Sequence, residues 1–223
     1  LFRSFVYSPG YYCDIGEHVF RTEKYELLYQ KLVENNVVHP EDMLEPEPAT
    51  VEQLERVHTS TYLNELLNAK RTQRTAMSEM PISREIVDAF VLGAGGSIQA
   101  CRTAITEQNG CMNLAGGFHH AFPDRAEGFC YINDVAVAVR NVLADGLAER
   151  PFIVDCDLHQ GNGTARIFRD DPEVFTFSIH QENLYPIKER SDCDVGLPNL
   201  CDGKHYLRKL RKNLQVALRR HEP

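Results

Sequence analysis

Residues 152–163 read Phe-Ile-Val-Asp-Cys-Asp-Leu-His-Gln-Gly-Asn-Gly, and this stretch decides the fold. Its first three residues form an uninterrupted apolar run, which is typical of a strand buried on both faces of a sheet. Two carboxylates and an imidazole follow at once, and the glycines lead into a segment with helical character. In parallel α/β sheets, functional residues gather just beyond the carboxyl ends of the strands. The stretch therefore predicts both a buried strand and a functional site at its end.

The same alternation of strands and helices extends on both sides of this stretch. Further strands are predicted at 111–114 and 174–179, and helices at 131–144, at 163–168 and along the apolar stripe of residues 207–218. Strands joined through helices pair in parallel, with right-handed crossovers. We therefore predict an α/β protein with a central, mainly parallel sheet flanked by helices.

Upstream of these strands the pattern is mainly helical. A long helix is predicted from Ser83 to Glu107, and the glycine-rich run at 93–96 is expected to flex it. Thr50 begins a Thr-x-x-Gln sequence that is typical of a capping box. Residues 42–48 are predicted to form an irregular connection, and residues 70–81 a polar loop.

Length, composition and charge exclude several classes of protein. With 223 residues, 43% hydrophobic and 25% charged, the chain has the composition of a single globular domain over residues 1–223. The formal net charge of −8 disfavours direct binding of nucleic acid or anionic membranes and favours cationic substrates. The longest stretches without charged side chains are too short and too polar to span a bilayer. Seven cysteines without a CxxC pair predict reduced thiols in a cytoplasmic protein.

Polar side chains follow three of the predicted strands. In chain order they are His119, His120, Asp155, Asp157, His159 and His180. Each one by itself has a structural interpretation, since adjacent histidines often bond within loops and Asp-x-Asp often forms turns. For His180, packing and a role in the site are equally good interpretations. Together, at the ends of neighbouring strands, these residues predict a functional site.

The spacing of the carboxylates and the imidazole indicates a metal site. Side chains two residues apart in extended backbone share a face, so Asp157 and His159 can reach one ion. An oxygen and a nitrogen donor suit Zn²⁺ and tolerate Fe²⁺ or Co²⁺. Asp155 would lie ~7 Å further back, where it can orient an imidazole, most simply His119, or hold a harder cation. With His119 and His120 dividing base and acid duties, the pattern predicts metal-assisted hydrolysis of an amide.

Several motifs resemble those of the zinc-dependent histone deacetylases. The motifs are Gly-Gly-Phe-His-His-Ala (116–121), Gly-Phe-Cys-Tyr-Ile-Asn-Asp (128–134), Asp-Cys-Asp-Leu-His-Gln-Gly-Asn-Gly (155–163) and Ser-Ile-His (178–180), with 6–9 and 192–198 in support. The superfamily has an arginase-like α/β fold and includes acetylpolyamine amidohydrolases and acetoin-utilisation proteins. The Gln-Gly-Asn-Gly sequence is most similar to the class IV branch.

The resemblance implies a role for each residue of these motifs. Asp157 and His159 would be zinc ligands, and His119 and His120 the general acid/base pair. Asp155 would pair with His119 and would help to hold a structural cation, such as K⁺. The residues implied for that second site are Asp155, Asp157, His159 and Ser178.

The resemblance also implies a narrow tunnel for an acyl-lysine stem. The residues implied to line it are Phe118, Gly128, Phe129 and Tyr185. Asn162 would support His120, where many family members have Asp, so this imidazole is expected to be less basic. Cys130 is expected to be a small buried hydrophobic residue rather than a nucleophile.

The family supplies a third zinc ligand and an oxyanion-stabilising tyrosine from a later part of its domain, and nothing after His159 matches either. We therefore expect the C-terminal portion of the domain to be missing and the chain alone to bind zinc weakly. The expected function is removal of acyl groups from lysine side chains or related amines. The alternatives are an acetylpolyamine amidohydrolase, a long-chain deacylase, or a non-catalytic acyl-binding module.

Overall fold

A computed structural model describes residues 2–223 of the chain, with side chains from Ser4 onward. Two compact units divide the chain, Leu1–Leu147 and Ala148–Pro223. Both are built from parallel strands and helices, so the predicted α/β class is confirmed. The expected single domain over residues 1–223 stays a prediction.

The first unit contains a three-stranded sheet in the order β2-β1-β3, with both strand pairs parallel. Its strands are β1 (Phe2–Val6), β2 (Met43–Leu44) and β3 (Gly110–Asn113), with 3₁₀ helices at Pro9–Tyr11 and Pro40–Asp42. Its helices are α1 (Lys24–Glu34), α2 (Val51–Glu55), α3 (Ser60–Leu67), α4 (Gln73–Ala76), α5 (Arg84–Thr106) and α6 (Asp134–Ala144).

The second unit contains a parallel sheet in the order β4-β5-β6. Its elements are β4 (Phe152–Asp155), α7 (Asn162–Phe168), β5 (Phe175–Gln181), β6 (Cys193–Leu197) and α8 (Gly203–His221). In register, Asp155 of β4 lies beside Ser178 of β5. The carboxyl ends of β4 and β5 therefore meet at one edge, as the alternating pattern predicts.

Local sequence signals explain where several helices begin. The capping box predicted at Thr50 is confirmed, because its hydroxyl accepts from the Gln53 N–H and the Gln53 side chain accepts from the Thr50 N–H. Asn133 caps α6 by accepting from the Ala136 N–H at 3.1 Å, so this helix begins at Asp134 and not at residue 131 as predicted.

The structure differs from the sequence-based predictions at three places. The connection predicted at 42–48 contains β2, which gains its strand geometry by pairing with β1. The loop predicted at 70–81 contains α4, which a capping box at Thr72 stabilises. Val154 is 43% exposed, so the expectation that β4 is buried on both faces is wrong at this residue.

The glycines of α5 serve packing rather than flexibility. The helix continues unbroken from Arg84 to Thr106, so the expected flexing at residues 93–96 is not seen. A Cβ on Gly95 would collide with the carbonyl oxygen of Glu47 and would lie 2.9 Å from the Ala49 nitrogen. The missing side chain therefore lets the backbone of residues 47–49 pack directly on the helix, where the Ala49 N–H donates to the Val91 carbonyl at 3.1 Å.

Across the part of the chain that the structure describes, no helix combines the length and the apolar character that crossing a membrane requires.

Two glycine substitutions on α5 test this packing. Gly95→Ala is expected to lower the free energy of unfolding by about 3 kcal/mol, since the collision outweighs the ~1 kcal/mol that alanine gains over glycine in a helix. Gly93→Ala is the matched control, because its added Cβ would lie 3.4 Å from the nearest atom, on Phe118, which is an ordinary contact. Denaturant unfolding of both variants measures the difference, and equal stabilities would contradict the packing role.

Candidate active site

The adjacent histidines lie on a glycine-rich loop that follows β3. Gly116 and Gly117 have φ angles of +96° and +76°, a region that glycine adopts without strain. The rings of His119 and His120 follow with their centroids 4.1 Å apart and their planes 49° apart. His120 is 4% exposed, whereas His119 is half-buried. Two imidazoles in contact but unequally buried are suited to different roles in proton transfer.

The buried carboxylate of Asp134, at the start of α6, holds this loop in place. It accepts from the Phe118 N–H at 2.7 Å and from the Gly117 N–H at 3.1 Å. The Ser97 hydroxyl of α5 donates to the same carboxylate at 2.5 Å. A Cβ on Gly116 would collide with this carboxylate, which gives a second reason for glycine there. Burial raises the pKa of Asp134, while the three hydrogen bonds act to lower it.

A chain of partly buried hydrogen bonds continues from Ser97 to β3. The Asn113 amide group donates to the Ser97 hydroxyl and to the Gly93 carbonyl, both at 3.0 Å. The Asn113 side-chain oxygen accepts from the Tyr11 hydroxyl at 2.8 Å. The strand end, α5 and the histidine loop are therefore joined by one polar network.

Asn133 fixes the far side of the histidine loop. Its amide group donates to the carbonyls of His119, at 3.3 Å, and Ala121, at 3.2 Å. Because the same side chain also caps α6, the loop and the helix start are held by one residue.

A buried histidine, His58, holds the backbone of Asn133. Its Nε2 accepts from the Asn133 N–H at 3.1 Å, and its Nδ1 lies 2.9 Å from the carbonyl oxygen of Phe122. A carbonyl needs a donor and an N–H needs an acceptor, so the ring is neutral with its proton on Nδ1. Burial lowers the pKa of His58 to about 4.

Sequence reasoning did not find the residues that position this loop. The pair Asn133-Asp134 stands in a quoted motif, and a cap residue followed by an acid is a signal for a helix start. His58, Ser97 and Asn113 carry no local signal, because their partners are distant in sequence.

The two phenylalanines implied for a tunnel have different environments. Phe118 is buried, and its ring centroid lies 4.5 Å from that of Phe90. Phe129 has a φ of +65° and is held by its N–H, which donates to the Ser78 carbonyl at 2.9 Å. His18 packs edge-on against Phe129 with centroids 4.8 Å apart. The expectation of a buried Cys130 is confirmed.

In the second unit, turns bring Asp157 and His159 together. The Asp157 N–H donates to Asp155 at 3.0 Å, and the His159 N–H donates to Asp157 at 2.7 Å. The Asp157 carboxylate oxygen thereby lies 3.3 Å from Nδ1 of His159. The expected extended backbone is wrong, because β4 ends at Asp155 and side-chain turns bring the two residues together. That they share one metal ion stays a prediction.

Gln160 anchors the loop that carries these two residues. Its amide donates to the Glu189 carbonyl at 2.7 Å and to the Asp194 carboxylate at 2.6 Å, and its oxygen accepts from the Glu189 N–H at 2.9 Å. The Gln181 N–H, at the end of β5, donates to the Leu158 carbonyl at 2.9 Å. The loop is therefore fastened to β5 and to the segment before β6.

The other predicted residues of the second unit lie around this loop. Ser178 and His180 are buried on β5, with the Ser178 hydroxyl 2.9 Å from Nδ1 of His180. Burial lowers the pKa of His180, which agrees with a packed, neutral ring. Tyr185 is largely exposed, and its ring lies edge-on to His159 at 5.8 Å. Asn162 is buried at the start of α7.

The donors of Asp157 and His159 fit part of a zinc site. One carboxylate oxygen and one imidazole nitrogen are ligands that Zn²⁺ prefers, and catalytic zinc sites use three protein ligands. Among residues 2–223, no group of three His, Cys, Asp or Glu side chains is arranged to hold an ion.

Comparisons with known proteins decide the family. The family model described as histone deacetylase domain matches residues 18–223. The chain belongs to the histone deacetylase family. It is 41% identical to an uncharacterized protein of Picosynechococcus sp., over 98% of this chain and 73% of that protein. It is 29% identical to histone deacetylase 2 of Arabidopsis thaliana, over 99% of this chain and 60% of that protein.

Family members with other names and solved structures agree with this assignment. The acetoin utilization protein AcuC of Bacillus subtilis is 33% identical over 81% of this chain, which spans 50% of that protein. The crystal structure of an HDAC homolog from Aquifex aeolicus has a TM-score of 0.87 and 27% identity, covering 99% of this chain and 66% of that one. An HDAC homolog complexed with SAHA has a TM-score of 0.85 and 27% identity, covering 100% of this chain and 66% of that one.

Replacing Asp134 tests whether its carboxylate holds the histidine loop. Asp134→Asn keeps the volume but turns an amide donor toward groups that need an acceptor. The free energy of unfolding is expected to fall by about 3 kcal/mol. Asp124→Asn, on an exposed aspartate, is the matched control and is expected to change stability by less than about 0.5 kcal/mol. Denaturant unfolding measures the free energy of unfolding of both variants. An unchanged value in Asp134→Asn would contradict the role of this carboxylate in holding the loop.

The neutral state of His58 predicts a pH dependence of stability. Its pKa is about 4 in the folded chain and 6.5 ordinarily. The unfolded state therefore binds the proton more readily, and stability is lost as the pH falls from 6.5 toward 4. Between about pH 7 and pH 4.5 the free energy of unfolding of the unmodified chain is expected to fall by about 2 kcal/mol more than that of His58→Gln, in which this group cannot titrate. Parallel curves of the free energy of unfolding against pH for the two proteins would contradict the neutral state assigned to His58.

Proposed function

We propose that this protein is a metal-dependent deacetylase that hydrolyses the amide of an acylated amine, with acyl-lysine side chains as the preferred substrate. The observation that carries the proposal is the pair His119–His120, two imidazoles in contact on a rigid loop of a chain in the histone deacetylase family. A homologous structure complexed with SAHA supports ligand binding by this fold.

Asp157 and His159 would hold the metal, and we propose Zn²⁺, with Fe²⁺ or Co²⁺ as substitutes. When bound, such an ion lowers the pKa of water and polarises a carbonyl group. The 3.3 Å approach of the Asp157 oxygen to the His159 ring supports their joint role. A structural K⁺ that involves Asp155, Asp157, His159 and Ser178 stays a prediction.

In the proposed reaction, His119 and His120 transfer the protons. One imidazole nitrogen takes a proton from the attacking water, and the other donates a proton to the amine nitrogen as the carbon–nitrogen bond breaks. The unequal burial of His119 and His120 supports this division of roles. Asp155 and Asn162 stay predicted members of the catalytic machinery, and Phe118, Gly128, Phe129 and Tyr185 stay predicted tunnel residues.

The acidic composition supports a second substrate class. A net charge of −8 attracts cationic amines, so acetylated polyamines are the competing substrates. Comparing acetyl-lysine peptides, long-chain acyl-lysine peptides and acetylspermidine, with zinc supplied, ranks the three activities by kcat/KM.

Histidine substitutions in the intact protein test the mechanism. His120→Asn is expected to lower kcat by at least ~100-fold, because a positioned acid or base contributes that much. His39→Asn replaces an exposed histidine before a 3₁₀ helix and is the matched control, with kcat unchanged. Asp157→Ala is expected to abolish bound zinc, measured by metal analysis, together with activity.

The proposal fails if the zinc-loaded protein hydrolyses none of these substrates. Retained binding of acyl peptides without turnover would identify a non-catalytic acyl-binding module instead. Full activity of His120→Asn would remove the proposed proton-transfer role even in an active enzyme.

A further inference from the structure

The first unit contains an aromatic cavity that the proposed deacetylation does not use. Its volume is about 520 Å³, within the ~300–1,000 Å³ typical of small-molecule sites. Four tyrosines line it, Tyr7, Tyr12, Tyr25 and Tyr29. They come from the segment after β1 and from α1, and none belongs to the histidine loop. Tyr7, Tyr25 and Tyr29 also contact the hydrophobic core, so the cavity lies directly beside it.

The tyrosine rings are fixed against one another. The rings of Tyr7 and Tyr29 stack with centroids 4.5 Å apart and planes 5° apart. Tyr25 is 5% exposed and packs on Tyr11 at 6.0 Å, which places a buried ring at the inner side of the cavity. Tyr12 is 44% exposed and lies at the solvent side. The cavity is therefore bounded by ordered aromatic surface before any ligand enters.

The charged side chains that line the cavity are carboxylates. Glu26 and Glu45 line it, and among the described residues that line it none is lysine or arginine. Burial raises the pKa of Tyr7, and the nearby carboxylate of Glu26 raises it further. An anionic ligand would be repelled here.

One of these rings already receives a cation from the chain itself. The Lys24 ammonium lies 3.9 Å from the centroid of Phe20 and 5.2 Å from that of Tyr25. Both distances are within the ~6 Å over which a cation is attracted by an aromatic face. The aromatic surface of α1 therefore takes part in cation–π contacts beside the cavity.

We propose that this cavity binds an alkylammonium group, preferably a methylated one, against the tyrosine rings and the two glutamates that line it. Methylated ammonium ions are large, weakly hydrated cations, so aromatic faces can replace their water at little cost. The carboxylates supply the opposite charge, and the volume leaves room for an alkyl stem. Such a group occurs on free choline-like molecules and on methylated lysine side chains.

Binding of choline to the intact protein, measured by calorimetry or ligand-detected NMR, tests the cation requirement. Dimethylbutanol is the matched neutral probe, since a tert-butyl group replaces the trimethylammonium group at nearly the same volume. Choline is expected to bind at least ~10-fold more tightly than dimethylbutanol. A peptide with trimethyl-lysine, compared with free choline, shows which source the site prefers.

Substitutions in α1 test the location of this site. Glu26→Gln and Tyr29→Leu are each expected to weaken choline binding at least ~5-fold. Glu34→Gln, on the same helix but paired with Lys31 outside the cavity, is the control and is expected to leave binding unchanged. Circular dichroism checks that each variant is folded, and Glu26 is exposed, so its replacement is expected to leave the fold intact.

Three results would overturn the proposal. They are no measurable choline binding, equal binding of choline and dimethylbutanol, and unchanged choline affinity in folded Glu26→Gln and Tyr29→Leu. None of these measurements depends on deacetylase activity. A failure of the proposed cation site is therefore distinguishable from a failure of the proposed function.

Discussion

A buried carboxylate is costly unless hydrogen-bond donors surround it, and this constraint organises the first unit around Asp134. Its donors come from separate segments, the Ser97 hydroxyl on α5 and two backbone N–H groups of the loop after β3. Satisfying the carboxylate therefore fixes the start of α6, the middle of α5 and the histidine loop at once. The position of His119 and His120 is a consequence of this arrangement.

The second unit reaches a similar rigidity without a buried charge at its centre. The Gln160 side chain donates and accepts, so a single amide binds the loop after β4 to residues 189 and 194. Side-chain turns then set Asp157 and His159 side by side. In both units, polar side chains next to the proposed chemistry hold backbone segments, which keeps the reactive groups in one geometry.

Aromatic side chains in the first unit lie in two different environments. Around Phe118 the rings are buried and form part of the core. Around Tyr7 and Tyr29 the rings border an open cavity with negative charge at its wall. The two groups of rings therefore differ in solvent access and in the charges beside them. The chain spans 50% to 73% of the length of the named relatives it matches.

The α/β class, the alternation of strands and helices over residues 110–181, the family resemblance and the residues at the strand ends followed from the sequence alone. These depend on local periodicity and on motifs of adjacent residues, which a single chain displays directly. The tertiary structure decided which partners hold those residues. Ser97 and Asp134 are 37 positions apart, and His58 and Asn133 are 75 apart, so no local pattern connects them. Packing likewise made Gly95 a contact with residues 47–49 rather than a hinge, and left Val154 exposed on an apolar strand.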